Sequence, residues 1–185
     1  MSGQPIGGRA TAIVLMGVSG AGKTTIGSRL AQRLHRSLIE GDSLHPPQNI
    51  EKMSRGTPLA DEDRMPWLKA IAARIDDARR AGQPIVVTCS ALKRIYRAAL
   101  MNGHEDVCFV YLRGARELIA RRLAARVDHF MPPSLLDSQF AALQEPGLNE
   151  PAIVVPIDAT PDKIVDSIVE KLTLEPQSSS RPVRD

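Results

Sequence analysis

The stretch Ala12-Ile13-Val14-Leu15-Met16-Gly17-Val18-Ser19-Gly20-Ala21-Gly22-Lys23-Thr24-Thr25 runs from an apolar strand through a glycine-rich turn into a helix start. Gly17, Gly22, Lys23 and Thr24 satisfy the spacing G-x-x-x-x-G-K-[ST] of a phosphate-binding loop. Glycines let the backbone curl until successive N–H groups point at one anion. The helix that follows adds its positive end. In such a loop the residues from Gly17 through Val18, Ser19, Gly20, Ala21, Gly22, Lys23 and Thr24 to Thr25 hold nucleotide phosphates. Lys23 supplies charge to the β- and γ-phosphates, and the Thr24 hydroxyl is a magnesium ligand candidate. The context fits: Ile13 to Met16 reads as a buried parallel strand, and Ile26, Leu30, Ala31 and Leu34 recur at helical spacing.

Outward from this loop, apolar strand runs alternate with helical patterns. Leu38-Ile39, Pro84–Cys89, Val107–Leu112 and Ala152–Ile157 read as strands. Helices are expected from the loop to about Arg36, from Asp61 to Gly82, from Ser90 to about Asn102, over Ala115–Ala125 and over Thr160–Leu172, with short ones over Asn49–Arg55 and after Ser134. Alternation of this kind implies a parallel sheet covered on both faces. Residues 10–174 form one domain, residues 1–9 a disordered leader and residues 175–185 a disordered tail. Two insertions, about 44–65 and 126–147, are where a substrate cap and a lid attach.

The composition narrows the function classes. A net charge of +3 argues against a nucleic-acid partner recognised by bulk charge, and 3% aromatics are too few for a base-stacking platform. No apolar run spans a bilayer, and the N-terminus lacks a secretory pattern, which points to a cytoplasmic protein. Cys89 and Cys108 read as buried free thiols on neighbouring strands.

Phosphoryl transfer needs a phosphate cradle, a metal, a positioned acceptor and cations for the transition-state oxygens. Glu40 and Asp42 follow the second strand, at the sheet edge where ligands bind. Glu40 is a candidate for outer contact with the metal, and Asp42 for accepting the proton of an attacking hydroxyl. Arg122 and Arg126 are candidates to close over the phosphates. Lys52, Arg64, Lys93 and Arg94 offer cations for an acidic acceptor, and Arg64 has the geometry for a bidentate carboxylate contact.

The order of these segments resembles the small gluconate kinases. The resemblance rests on Met16–Thr24, Glu40-Gly41-Asp42-Ser43-Leu44-His45-Pro46, Asn49–Met53, Gly56–Leu59, Asp61–Arg64 and Pro66-Trp67-Leu68. It continues through Cys89–Lys93, Tyr96-Arg97, Val110–Leu112, Arg126, His129-Phe130 and Leu143–Pro146. It implies an adenylate- or shikimate-kinase-like P-loop fold with sheet order 2-3-1-4-5, often as a homodimer. It implies transfer of phosphate from ATP, with Mg²⁺, to the 6-hydroxyl of D-gluconate. It also makes Lys23, Asp42 and Arg126 catalytic candidates, Arg122 a nucleotide contact, and Asp42, His45, Lys52, Arg64 and Lys93 substrate-side candidates. The family often has aspartate where this chain has Glu40. Two other readings stand beside this one: a P-loop kinase for a shikimate-like or nucleotide acceptor, and a non-catalytic nucleotide-binding module. A GTPase switch is excluded because no Asn-Lys-x-Asp guanine motif is present.

Overall fold

The central strands are continuous buried apolar runs, and successive residues face opposite sides of the sheet, which sorts the core into two layers. The computed structural model describes residues 10–125 and 135–174. Among them, β1 (Ala12–Met16), β2 (Ser37–Glu40), β3 (Ile85–Thr88), β4 (Val107–Arg113) and β5 (Ala152–Pro156) form one parallel sheet ordered β2-β3-β1-β4-β5. This is the expected order 2-3-1-4-5, and β1 lies at its centre with Val14 opposite Val87 and Phe109. Ile13, Leu15, Cys108, Val110 and Leu112 face one layer. Val14, Met16, Val87, Phe109 and Tyr111 face the other.

Helices cover both faces. The first layer holds α1 (Lys23–Leu34), α5 (Arg116–Ala124), α6 (Leu135–Ala142) and α7 (Pro161–Leu174). The second is closed by α3 (Asp61–Ala81) and α4 (Arg94–Met101), with α2 (Pro47–Ser54) lying between β2 and α3 in sequence. Trp67, Leu68, Ile71 and Ile75 of α3 are buried at helical spacing against the sheet. Every strand therefore ends at the same edge, where the phosphate loop follows β1 and Glu40 closes β2. No helix among the described residues is long and apolar enough to cross a membrane.

Two expectations need correction. The helix after β3 begins at Arg94 rather than Ser90. Ala91 adopts a left-handed backbone (φ 45°), which an α-helix excludes, so Ser90–Lys93 is a buried loop and Lys93 is the residue before the helix. The two cysteines are buried and in no disulfide, but their strands are not neighbours: β1 lies between β3 and β4. Cys89 and Cys108 also belong to opposite layers. The leader, the tail and the lid residues 126–134, with Arg126, His129 and Phe130, lie outside the described residues.

At the opposite edge of the sheet Arg79 ties the end of α3 to the start of β4. Its Nε and Nη2 donate to the two Asp106 carboxylate oxygens at 2.9 and 2.5 Å. These bonds hold the Asp106 carboxyl down to about 2, against the opposing effect of burial. A carboxylate whose folded pKa lies below its unfolded value adds stability above the unfolded value and loses it as the pH falls toward the folded one. Asp106→Asn should thus destabilise the fold by about 1–2 kcal/mol at pH 7, after discounting for partial exposure. The deficit should shrink between about pH 4 and pH 2. Melting curves of both proteins across that range measure it; a deficit independent of pH would contradict the role given to the pair.

Candidate active site

The phosphate loop is shaped by what packs behind it. Gly20 has φ +83°, and a Cβ there would sit 2.8 Å from Leu123 Cγ of α5. The loop thus curls where α5 comes too close for a side chain. Lys23 Nζ donates to the carbonyl oxygens of Gly17 and Val18 at 3.1 and 3.2 Å, so the ammonium spans the loop. Arg122 donates from Nη2 to the Ile157 carbonyl at 2.7 Å. Its Nη1 lies 4.0 Å from the point a Cβ on Gly22 would take, which brings this predicted nucleotide contact beside the loop.

Thr24 and Glu40 meet. The Thr24 hydroxyl donates to Glu40 Oε2 at 3.1 Å, across 16 residues of sequence. The pair offers hard oxygen donors at the head of α1, the chemistry a magnesium ion requires. The longer glutamate side chain still reaches the threonine.

Asp42 stands just beyond, itself exposed, in the 3₁₀ turn Gly41–Leu44, whose Gly41 is buried. That turn is pinned from two sides. A Cβ on Gly41 would fall 2.2 Å from the Thr88 carbonyl oxygen, so the turn presses directly on the end of β3. Trp67 Nε1 donates to the Gly41 carbonyl at 2.7 Å. The indole also stacks on the His45 ring, with centroids 4.0 Å apart. Trp67 is therefore both core and support for the acidic turn. His45 is pushed down to about 4, first by burial and further by the Arg64 charge, with Asp42 opposing. It is a neutral ring at physiological pH, and its Nδ1 lies 3.4 Å from Asn49 Nδ2.

The predicted cations divide into paired and unpaired. Lys52 donates to both carboxylate oxygens of Asp63, at 3.0 and 2.8 Å. Lys93 donates to Asp61 Oδ1 at 2.7 Å, and the Tyr96 hydroxyl donates to the same oxygen at 2.5 Å. These two bonds lower the Asp61 pKa; burial, and then the Asp61 bond, raise that of Tyr96. Arg64 lies 5.7 Å over the Tyr96 ring and has no carboxylate partner among the described residues. Cys89 at the end of β3 feels the charges of Asp42, Lys23 and Arg64 together. Burial dominates and pushes the thiol up to about 12.

Sequence reasoning missed Arg97. Only 1% exposed, it donates to the carbonyls of Ala91, Leu92 and Gln144 at 3.1, 3.3 and 3.0 Å. Nε and Nη2 pair with Glu150 at 2.5 and 2.9 Å. Arg97 thereby fixes the loop that presents Lys93. The readable signal was its place on the buried stripe Tyr96, Arg97, Leu100 of α4.

Comparison with known proteins gives a consistent result. A family model described as an AAA domain matches residues 13–146. The thermoresistant gluconokinase of Escherichia coli (strain K12) is 44% identical over 158 residues, covering 85% of this chain and 90% of that protein. The gluconokinase of Gluconobacter oxydans (strain 621H) is 45% identical over 163 residues, covering 88% and 92%. The crystal structure of a gluconokinase from Sinorhizobium meliloti 1021 superposes with a TM-score of 0.78 at 42% identity, covering 87% and 90%.

The contact at Gly41 makes a direct test. Gly41→Ala must displace backbone, since its neighbour is a carbonyl oxygen rather than a movable side chain. It should cost about 1–3 kcal/mol of stability. Turnover, assayed below the melting range, should drop about tenfold or more as Asp42 shifts. Unchanged turnover would mean that the turn's position is not critical.

Proposed function

The chain belongs to the gluconokinase family, and on that premise we propose that it transfers the γ-phosphoryl group of ATP to the 6-hydroxyl of D-gluconate, giving 6-phosphogluconate and ADP. The observation that carries the reading is the placement of the phosphate loop after β1 and of Asp42 just after β2 at one sheet edge, with Gly41 pressed on the Thr88 carbonyl at the end of β3. A phosphate cradle and an acceptor-side carboxylate thereby stand at the same edge.

Gluconate carries a primary alcohol at one end and a carboxylate at the other. Asp42 accepts the proton of the 6-hydroxyl as its oxygen attacks the γ-phosphorus and the bond to the ADP oxygen breaks. Lys23 leaves the carbonyls of Gly17 and Val18 for the β- and γ-phosphates, offsetting the charge that develops there. Arg122 adds charge from the base of α5, and Arg126, outside the described residues, belongs to the same proposed set. Thr24 and Glu40 are the residues that would hold magnesium, Glu40 through water. Bound there, the ion would supply positive charge that lowers the repulsion met by the incoming alcohol.

Arg64 takes the gluconate carboxylate as a bidentate partner. Lys93 adds charge beside it while anchored to Asp61. His45, held neutral, offers a ring nitrogen to a sugar hydroxyl without repelling Arg64. Lys52, engaged with Asp63 as Lys93 is with Asp61, belongs to the same proposed substrate-side set. The cytoplasm, where ATP is made and thiols such as Cys89 and Cys108 stay reduced, is the proposed compartment. A homodimer completes the reading, with sedimentation velocity as its measurement.

An acceptor panel tests the whole. With ATP and Mg²⁺, gluconate should be turned over well above shikimate and nucleoside monophosphates; background turnover of gluconate rejects the reading. Asp42→Asn should lower kcat by about 10²-fold or more with little change in ATP affinity. Lys23→Ala should lower kcat/KM by about 10²–10³-fold while the melting temperature stays near wild type. Equal activity of either variant removes that residue from the mechanism.

A further inference from the structure

The segment from α6 to β5 touches both halves of the cleft. Gln139 of α6, 8% exposed, accepts the Ser19 N–H at 2.7 Å through Oε1, across 120 positions of sequence. Five residues on, Gln144 accepts the Arg94 N–H at 2.8 Å through its own Oε1. Its backbone N–H donates to the Leu92 carbonyl at 2.8 Å. Leu92 and Arg94 are the two neighbours of Lys93. One short segment thus grips the phosphate loop at one end and the backbone on both sides of Lys93 at the other.

We infer that Gln139 and Gln144 are positioning residues, with Gln139 setting the phosphate loop for the nucleotide and Gln144 setting Lys93 for the acidic acceptor. The segment has the stiffness this requires. Leu136 is 5% exposed, and Leu143 packs against both core layers. The Tyr111 hydroxyl donates to Glu145 Oε1 at 3.2 Å, and Arg97 binds both the Gln144 carbonyl and Glu150. The choice of an amide at position 139 has a physical reason. A neutral carbonyl takes the Ser19 proton without placing negative charge beside an incoming triphosphate. A carboxylate there would make the same bond and repel the phosphates. At position 144 the accepted N–H belongs to the first residue of α4, where a negative charge is favourable. The two glutamines therefore differ in their tolerance of charge.

This inference rests on gluconate as acceptor only for the Gln144 arm. Its test uses Gln139→Met, Gln139→Glu, Gln144→Met and Gln144→Glu. Three readouts are needed: titration with a non-hydrolysable ATP analogue, KM for ATP and for gluconate, and melting temperature. Loss of the Ser19 hydrogen bond predicts that Gln139→Met weakens the analogue and raises the ATP KM about five- to tenfold. Its gluconate KM should stay at the wild-type value, and Gln139→Glu should bind the analogue more weakly still. Gln144→Met should raise the gluconate KM by about the same factor and leave ATP alone. Gln144→Glu should recover the wild-type gluconate KM. Two results would overturn the inference: wild-type analogue affinity in Gln139→Met, or both KM values rising together with a fall in melting temperature. A wild-type enzyme inert toward gluconate would sink the acceptor reading alone, because the analogue titrations need no acceptor.

Discussion

The turn after β2 presses on the carbonyl end of β3 so closely that only a hydrogen fits between Gly41 and the Thr88 oxygen. Much of the cleft depends on that contact. It sets how far Asp42 stands from the phosphate loop, because β3 and β1 are hydrogen-bonded neighbours and the loop leaves the end of β1. Trp67 locks the arrangement from the α3 side, with its indole nitrogen on the Gly41 carbonyl and its ring against His45. Distances in the cleft are thus inherited from sheet geometry, which is stiff, rather than from exposed side chains, which are not.

Charge in the cleft is arranged as carefully as distance. Two of the acceptor-side lysines are already neutralised, Lys52 by Asp63 and Lys93 by Asp61. His45 is kept neutral by burial. Among the described candidate cations, Arg64, lying over Tyr96, and Arg94 have no carboxylate partner. A site with four loose cations would attract any anion. In the proposed reading, a guanidinium in a matched surround selects by geometry as well as by charge.

The parts of this design that are local in sequence could be read from it. The phosphate loop is a contiguous pattern of residues, and the strand runs are short and apolar, so both were legible. The sheet order came with the family resemblance. Thr24 and Glu40 could be placed at the same sheet edge, one after β1 and the other closing β2, and there they meet. The unreadable parts are long-range or break a local trend. Ser90 to Lys93 looks like a helix start, yet Ala91 is left-handed there, in a loop held by Arg97. The bond from Gln139 to Ser19 joins residues that no periodicity links. Cys89 and Cys108 sit in similar apolar runs, and only the crossing of the chain over β1 shows that they face opposite layers.

The most direct measurement is a crystal structure with a non-hydrolysable ATP analogue, Mg²⁺ and gluconate bound together. The account requires the triphosphate to lie against residues 17–25, with the gluconate 6-hydroxyl within hydrogen-bonding distance of an Asp42 oxygen and its carboxylate on the Arg64 guanidinium. A gluconate bound the other way round, carboxylate toward Asp42, or a triphosphate seated away from that loop, would contradict it.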